Sequence, residues 1–504
     1  MKKHIIYLFS VIFLLLLVSC NDFLEKTPQN GPTKNTFWET ESDVAAATTG
    51  TYWRLRSTMM GPGHLQNEMM LYYGDIPTGL FSSDSWVDGN PFTGNYEWMY
   101  GGEASNWGKF YKLINQANMV IELTPGVNPS EFADRDDQNV YIGEALFIRA
   151  YTYFYMTRVW STVPYITHVV DDASEAVYDV PLETEDNILD GCLNDLKEAY
   201  DYLSWTDTHD TKASRATRGS VLALRAHILM WKNRKNKSNI DPQNYRDAIA
   251  AIDEIEKSEK YTLVSINDYL RIWNDGAKSS ESIFELPYNR ASGEKLTNDD
   301  SCFGAFLGYL HNGNIGVGAR PRYVYNTSFL NIIDKYTDDG DGRRDKVWTL
   351  WNEGDHKYPV KYSTITYLDD EKKVLEFNHT FVLLRLADMY LLRAEAHEEL
   401  EEYDKARIYL KKVQSRAGIP ESITDAIPDS DLATEICDER IRELFLEGQN
   451  LFDWVRNGQY PGRNGYSQSR YNEEGYLWPV NGNLILKNKY ANQTPYWRGK
   501  LKVD

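Results

Sequence analysis

The chain has 504 residues and a formal net charge of −20, with 74 acidic against 54 basic side chains. That balance repels phosphate backbones and sets nucleic acid aside as a partner. Length allows one large or two ordinary domains. The four cysteines show no C-x-x-C spacing, and only Cys192, Cys302 and Cys437 lie beyond the N-terminal segment. This argues for buried free thiols over a disulfide framework.

In chain order, Lys2 and Lys3 precede an apolar run from Ile5 to Val18. The run is shorter than the ~20 residues a membrane-crossing helix needs, and it fits the core of a secretory signal. It ends at Leu17-Val18-Ser19-Cys20, which resembles a bacterial lipobox. Residues 1–19 are therefore expected to be a lipoprotein signal peptide. Cys20 is expected to carry the lipid anchor, which is stable when two or more acyl chains are attached. Residues 20–36, polar and broken by Pro28, Gly31 and Pro32, read as a tether. A single body over 37–504 follows, and it holds no second apolar run long enough to span a bilayer.

Helical periodicity dominates that body in patches. "ESDVAAATTGTYWRLR" opens it. "SNWGKFYKLINQANMVIEL" places Trp107, Phe110, Ile114, Ala117 and Ile121 on one stripe. "EALFIRAYTYFYMTRVW" ends before Pro164, and the next stretch carries Ile188, Cys192, Leu196 and Ala199 on one face. Two later pairs look like one unit used twice, over residues 214–257 and 381–416. Ala226 precedes Tyr245-x-x-Ala248, and Ala396 precedes Tyr403-x-x-Ala406. Small residues at such places let antiparallel helices approach closely, a pattern similar to tetratricopeptide repeats. "ATEICDERIRELFLEG" is the last strong helix, with Gly448 placed to cap it. The expected fold is mainly α: a tetratricopeptide-like helical-repeat scaffold with long irregular insertions carrying short strands.

Those insertions lie near 62–104 and 262–380. Both are rich in rings, glycines and isolated polar residues without helical period, and loops of that length are commonly functional. They are expected to meet on one face. Trp86, Trp98 and Tyr100 are the candidate ligand contacts of the first; Tyr288, Arg290, Tyr309, Arg320 and Tyr323 are those of the second. Trp98 leads because Tyr96, Trp98 and Tyr100 share a side if the segment is extended. Asp75 and Asp84 are candidate hydroxyl acceptors. The competing reading gives the rings to a small core inside the insertions.

Catalytic patterns are absent. His397-Glu398 is not followed by the second histidine of a zinc protease, and no phosphate loop, nucleophile elbow or dinucleotide fingerprint occurs. No enzyme, cofactor or metal is expected. "YTDDGDGRRDKVW" offers Asp339 and Asp341 to a calcium ion. However, Arg343 and Arg344 stand where oxygen ligands are wanted, so a charge-balanced turn is the better reading. In "CDERIRELFLEG", Asp438 with Arg442 and Arg440 with Glu443 have helical pair spacing, which reads as a solvated or interhelical ion network.

Taken together these segments resemble the SusD/RagB family of outer-membrane nutrient-binding lipoproteins. The resemblance rests on Cys20, on "EALFIRAYTYFYMTRVWSTVPYIT", and on the two repeat helices. It rests also on Glu439-Arg440, Glu443-Leu444 and Glu447-Gly448, on "GDGRRDKV", and on the closing "NKYANQTPYW". Two departures stand out: Ser161 where the family's turn has glycine, and Asn450 where an arginine is common. The resemblance implies a lipid-anchored, cell-surface protein of the outer membrane. Such a protein binds an oligosaccharide and hands it to a SusC-like TonB-dependent transporter. A peptide ligand, a surface glycoside hydrolase and a repeat-type protein-interaction adaptor are the alternatives.

Overall fold

The structure is a computed structural model. It describes residues 37–60, 69–83, 93–96, 102–170, 178–206, 213–274, 279–287, 323–350, 357–359, 361, 365–367, 375–377 and 380–501. Its longer helices are α1 Glu41–Met60, α2 Gly108–Leu123, α3 Arg135–Trp160, α4 Glu185–Tyr202, α5 Arg218–Lys232, α6 Pro242–Lys257, α7 Thr327–Ile333, α8 Leu386–Glu399, α9 Tyr403–Ala417, α10 Asp429–Leu444 and α11 Asn450–Arg456. The strands are β1 Phe81–Ser83, β2 Val163–Pro164, β3 Leu182–Glu183, β4 Ser282–Pro287, β5 Tyr323–Tyr325, β6 Trp348–Leu350, β7 Lys357–Pro359, β8 Ile365–Tyr367, β9 Leu375–Phe377 and β10 Thr380–Arg385. Among the described residues they form five antiparallel two-stranded pairs.

Neighbouring helices pack in succession: α2 on α3, α3 on α4, α5 on α6, α8 on α9. Stripes expected from the spacing are the buried ones. Trp107, just before α2, and Phe110, Ile114 and Ala117 along it are buried while Ile121 is half-buried, and Ile188, Cys192, Leu196 and Ala199 are buried along α4. Helix α3 is buried on every side from Tyr141 to Trp160. Its polar residues there are answered: Arg149 meets Asp195 at 2.7 Å, and Arg158 lies between the rings of Phe154, Tyr155 and Phe452. Cys192 and Cys437 are buried free thiols; Cys302 lies outside the described residues.

The two repeat pairs are α5–α6 and α8–α9. Tyr245 donates to the Asn233 carbonyl at 3.2 Å, which sets the start of α6 against the end of α5. At α8–α9, the Arg393 guanidinium lies 4.0 Å from the Tyr409 ring centre. The pairs also stack on each other, with Arg393 reaching Glu256 of α6 at 3.2 Å. Ala226, Ala248, Ala396 and Ala406 are fully buried, as close helix crossings require.

Three expectations need correction. Residues 381–385 are not the start of a repeat helix but strand β10, paired with β4. Phe381 and Val382 suit a strand, and the partner strand satisfies their backbone groups. Helix α10 stops at Leu444, so Gly448 does not cap it. Instead, a Cβ on Gly74 would lie 1.9 Å from the Gly448 carbonyl oxygen, so the two glycines mark a close backbone approach. Helix α3 also begins earlier than expected, at Arg135.

Ser161 sits at φ +66°, the left-handed region that glycine occupies without strain. Ser161→Gly should therefore raise stability, by up to about 1 kcal/mol in denaturant unfolding. Ala226→Leu or Ala396→Leu should lower it by roughly 1–3 kcal/mol through overpacking.

Candidate functional site

The two insertions meet at a strand seam. Strand β1 leaves the first and pairs with β5 of the second, with Phe81 opposite Tyr325 and Ser83 opposite Tyr323. Asn326 extends the seam, its backbone N–H donating to Leu80 O at 2.9 Å. Beneath this seam lies an elbow, Phe445–Asn450, between α10 and α11.

Helix α10 and the elbow carry Glu435, Glu439, Glu443 and Glu447, four residues apart and all buried. Helical spacing of four puts such side chains on one stripe, and each is met by cations from elsewhere. Glu435 pairs with Arg442 and Lys335, and Glu439 with Arg442 and Arg343. Glu443 pairs with Arg343 at 3.0 Å, Arg385 at 2.6 Å, and Arg416. Glu447 pairs with Arg385 at 2.9 Å and Lys361 at 2.5 Å. Glu281 of the 281–287 segment adds a carboxylate 2.6 Å from Arg385. Burial alone would raise the Glu443 carboxyl, but Arg416, Arg385 and Arg343 hold it well below the usual range.

A second cluster lies beside it. Asp388 of α8 binds His227 and Arg440, each at 2.7 Å. Arg440 also reaches Asp453 at 2.9 Å, and Arg456 joins Asp453 to Glu395. The expected local pairs are thus not formed. Arg440 goes to Asp388 and Asp453, and Asp438 goes to Arg463 at 2.6 Å. The network is buried and interhelical, not solvated.

The turn at Asp341 is charge-balanced, as expected. Arg343 returns to Asp341 at 2.7 Å and continues into Glu439, so this carboxylate is spent on pinning the turn to α10. Among the described residues no group of side chains has metal-holding geometry.

Asp75 is fully buried and is not a surface acceptor for hydroxyls. Its carboxylate accepts from the backbone N–H groups of Gly448 at 2.8 Å and Asn450 at 3.2 Å. At position 450, where an arginine is common in the family, the backbone N–H of Asn450 serves the first insertion. Burial pushes the Asp75 carboxyl up to about 7, against those two donors and the charge of Lys361. Burial likewise brings Lys361 down to about 8, with Glu447 opposing. Lys361 lies over the Trp273 and Phe445 rings and donates to the Phe445 carbonyl at 2.7 Å.

Of the candidate contacts, Tyr323 is placed as the first residue of β5 at the seam. Trp86, Trp98, Tyr100, Tyr288, Arg290, Tyr309 and Arg320 lie outside the described residues, as do Asp84 and Cys20. Tyr96 is buried and stacks on Trp478, with ring centres 4.3 Å apart and planes 10° apart. Its place in the core removes the alternation argument that put Trp98 and Tyr100 beside it on a ligand face. Sequence reasoning missed Lys361, Arg385 and Arg416 as partners of the glutamate row, and Glu281 as a further carboxylate on Arg385 and Arg416.

The architecture defines a helical-repeat protein with two insertions rooted on one elbow. Among the described residues no helix is long and apolar enough to cross a membrane. The chain belongs to the SusD/RagB family. A family model described as the SusD family matches residues 320–497, and one described as starch-binding, associating with the outer membrane, matches residues 22–230. The SusD-like protein P2 of Formosa agariphila is 30% identical over 97% of this chain and 98% of its own length. Its SusD-like protein P38 is 24% identical over 97% of this chain and 99% of its own. A SusD homologue from Bacteroides thetaiotaomicron shares the fold with a TM-score of 0.77 at 24% identity, covering 92% of this chain and all of that one. NanU of Bacteroides fragilis does so at 0.70 and 19%, covering 94% and 100%. The family is one of surface glycan-binding proteins in nutrient uptake, generally not enzymes.

Arg385→Met would leave three buried glutamates short of a cation. It should destabilise the body by about 3–5 kcal/mol in denaturant unfolding. A second expectation follows from Asp75, whose folded value of about 7 lies above its ordinary 3.8. Its charged form is disfavoured in the folded chain above about pH 7, and this penalty fades as pH falls toward 3.8. Lowering pH from about 8 to about 5 should therefore stabilise the parent relative to Asp75→Asn, as read by urea midpoints at both values.

Proposed function

We propose that the protein is a lipid-anchored glycan-binding lipoprotein of the outer membrane that delivers an oligosaccharide to a TonB-dependent transporter. Residues 1–19 serve as signal peptide, Cys20 carries the lipid, and residues 20–36 tether the body of residues 37–504. The observation that carries this reading is the seam of β1 with β5, which roots two ring-rich insertions side by side on a repeat scaffold. Family membership supplies the ligand class. Sugars present apolar faces to rings and hydroxyls to isolated polar groups. The rings of 84–100 and 288–322 supply that chemistry in composition.

The anchor is tested by Cys20→Ala. Cells lacking the transporter are fractionated, and the variant should leave the membrane fraction that the parent keeps; equal retention rejects the anchor. The ligand face is tested with Trp98→Ala against a panel of oligosaccharides and peptides. Affinity for a glycan should fall about tenfold with an unchanged melting temperature, since a ring contact contributes roughly 0.5–1.5 kcal/mol beyond its area. A collapsed melting temperature would assign Trp98 to the core beside Tyr96. Binding of peptides alone would move the ligand class.

A further inference from the structure

Both insertions grip the same six residues. From the first, Gly74 lies against Gly448, and the Asp75 carboxylate holds the N–H groups of Gly448 and Asn450. From the second, Lys361 holds Phe445 O and Glu447, and the Tyr325 ring meets the Phe445 ring edge-on at 5.9 Å. Arg385 of β10 closes the same side on Glu447. From the scaffold, Arg158 of α3 donates to the Gln449 side chain at 3.2 Å.

The backbone between these grips is strained. Leu446, fully buried, sits at φ +58°. A branched residue keeps such a conformation only while its surroundings over-determine it. Each grip therefore helps to hold the conformation that the other grip requires.

We propose that Phe445–Asn450 is a shared seat that couples the roots of the two insertions, so that withdrawing one root loosens the other. The coupling does not depend on what the insertions bind. Its two ionic contacts also change charge near neutrality, Asp75 at about 7 and Lys361 at about 8. The groups facing Asp75 are Lys361, Glu447, Tyr155 of α3 and Tyr325 of β5; those facing Lys361 are Glu447, Arg385 and Glu443.

Hydrogen exchange of the full chain, without ligand, tests the idea. Asp75→Asn should speed exchange about tenfold or more in peptides over 76–83 and equally over 323–333 and 357–361. The α5–α6 pair should not change. Lys361→Met, which keeps the stem over Trp273 and Phe445, should produce the reverse transmission into 76–83. Acceleration confined to the mutated side in either variant overturns the proposal, and so does a uniform rise that includes α5–α6. If Asp75→Asn does not fold, Lys361→Met alone decides.

Discussion

A stripe of four buried glutamates at 435, 439, 443 and 447 is the constraint on which the rest of the structure depends. Three of these carboxylates lie along α10 and the fourth just past its end; such a row repels itself and is strongly disfavoured away from water. They are tolerable only because cations arrive from four other places in the chain: Arg343 from its turn, Lys361 from the second insertion, Arg385 from the end of β10, and Arg416 from α9. With Lys335 and Arg442, six cations face six carboxylates once Glu281 and Asp341 are included. Such an arrangement contributes uniqueness of assembly more than net stability. One register brings all partners into place, and a slip by one turn leaves buried charges bare.

The insertions inherit their position from this stripe. Glu447 ends it, and the elbow that follows turns the chain back into α11 while presenting backbone N–H groups to Asp75. The seam of β1 with β5 then joins the two insertion roots directly above. The repeat helices supply a rigid floor, and the charged stripe sets where the irregular segments stand on it.

Much of the scaffold was legible because its signal is local. Ala226, Tyr245 and Ala248 announce a close helix pair through spacing alone, and burial follows the expected stripes. Strand β10 was not legible, since "FVLLRLADMYLL" is apolar apart from Arg385 and Asp388 and suits a strand or a buried helix equally. Its partner β4, which decides the matter, lies roughly a hundred residues earlier. The ion network was misread for the same reason. Arg440 and Glu443 have the spacing of a local pair, yet their real partners are Asp388 and Arg385. Asp75 looked like a polar loop residue because nothing in its own stretch shows that Gly448 lies against Gly74. The likeness of the segments to the SusD/RagB family was recoverable because the order of weak motifs survives where each alone is common.

Repeat scaffolds ordinarily come apart unit by unit, because each unit touches only its neighbours. The stripe on α10 breaks that independence. Its counter-ions are drawn from segments as far as 100 positions away, Arg343 with Glu443 being one such link. A chain that has folded its early helices but not yet docked α10 cannot neutralise the stripe, and one that loses α10 leaves Arg343, Arg385 and Arg416 uncompensated. The late helix thus acts as a keystone. The body is closer to an all-or-none object than its helix-pair repeats suggest.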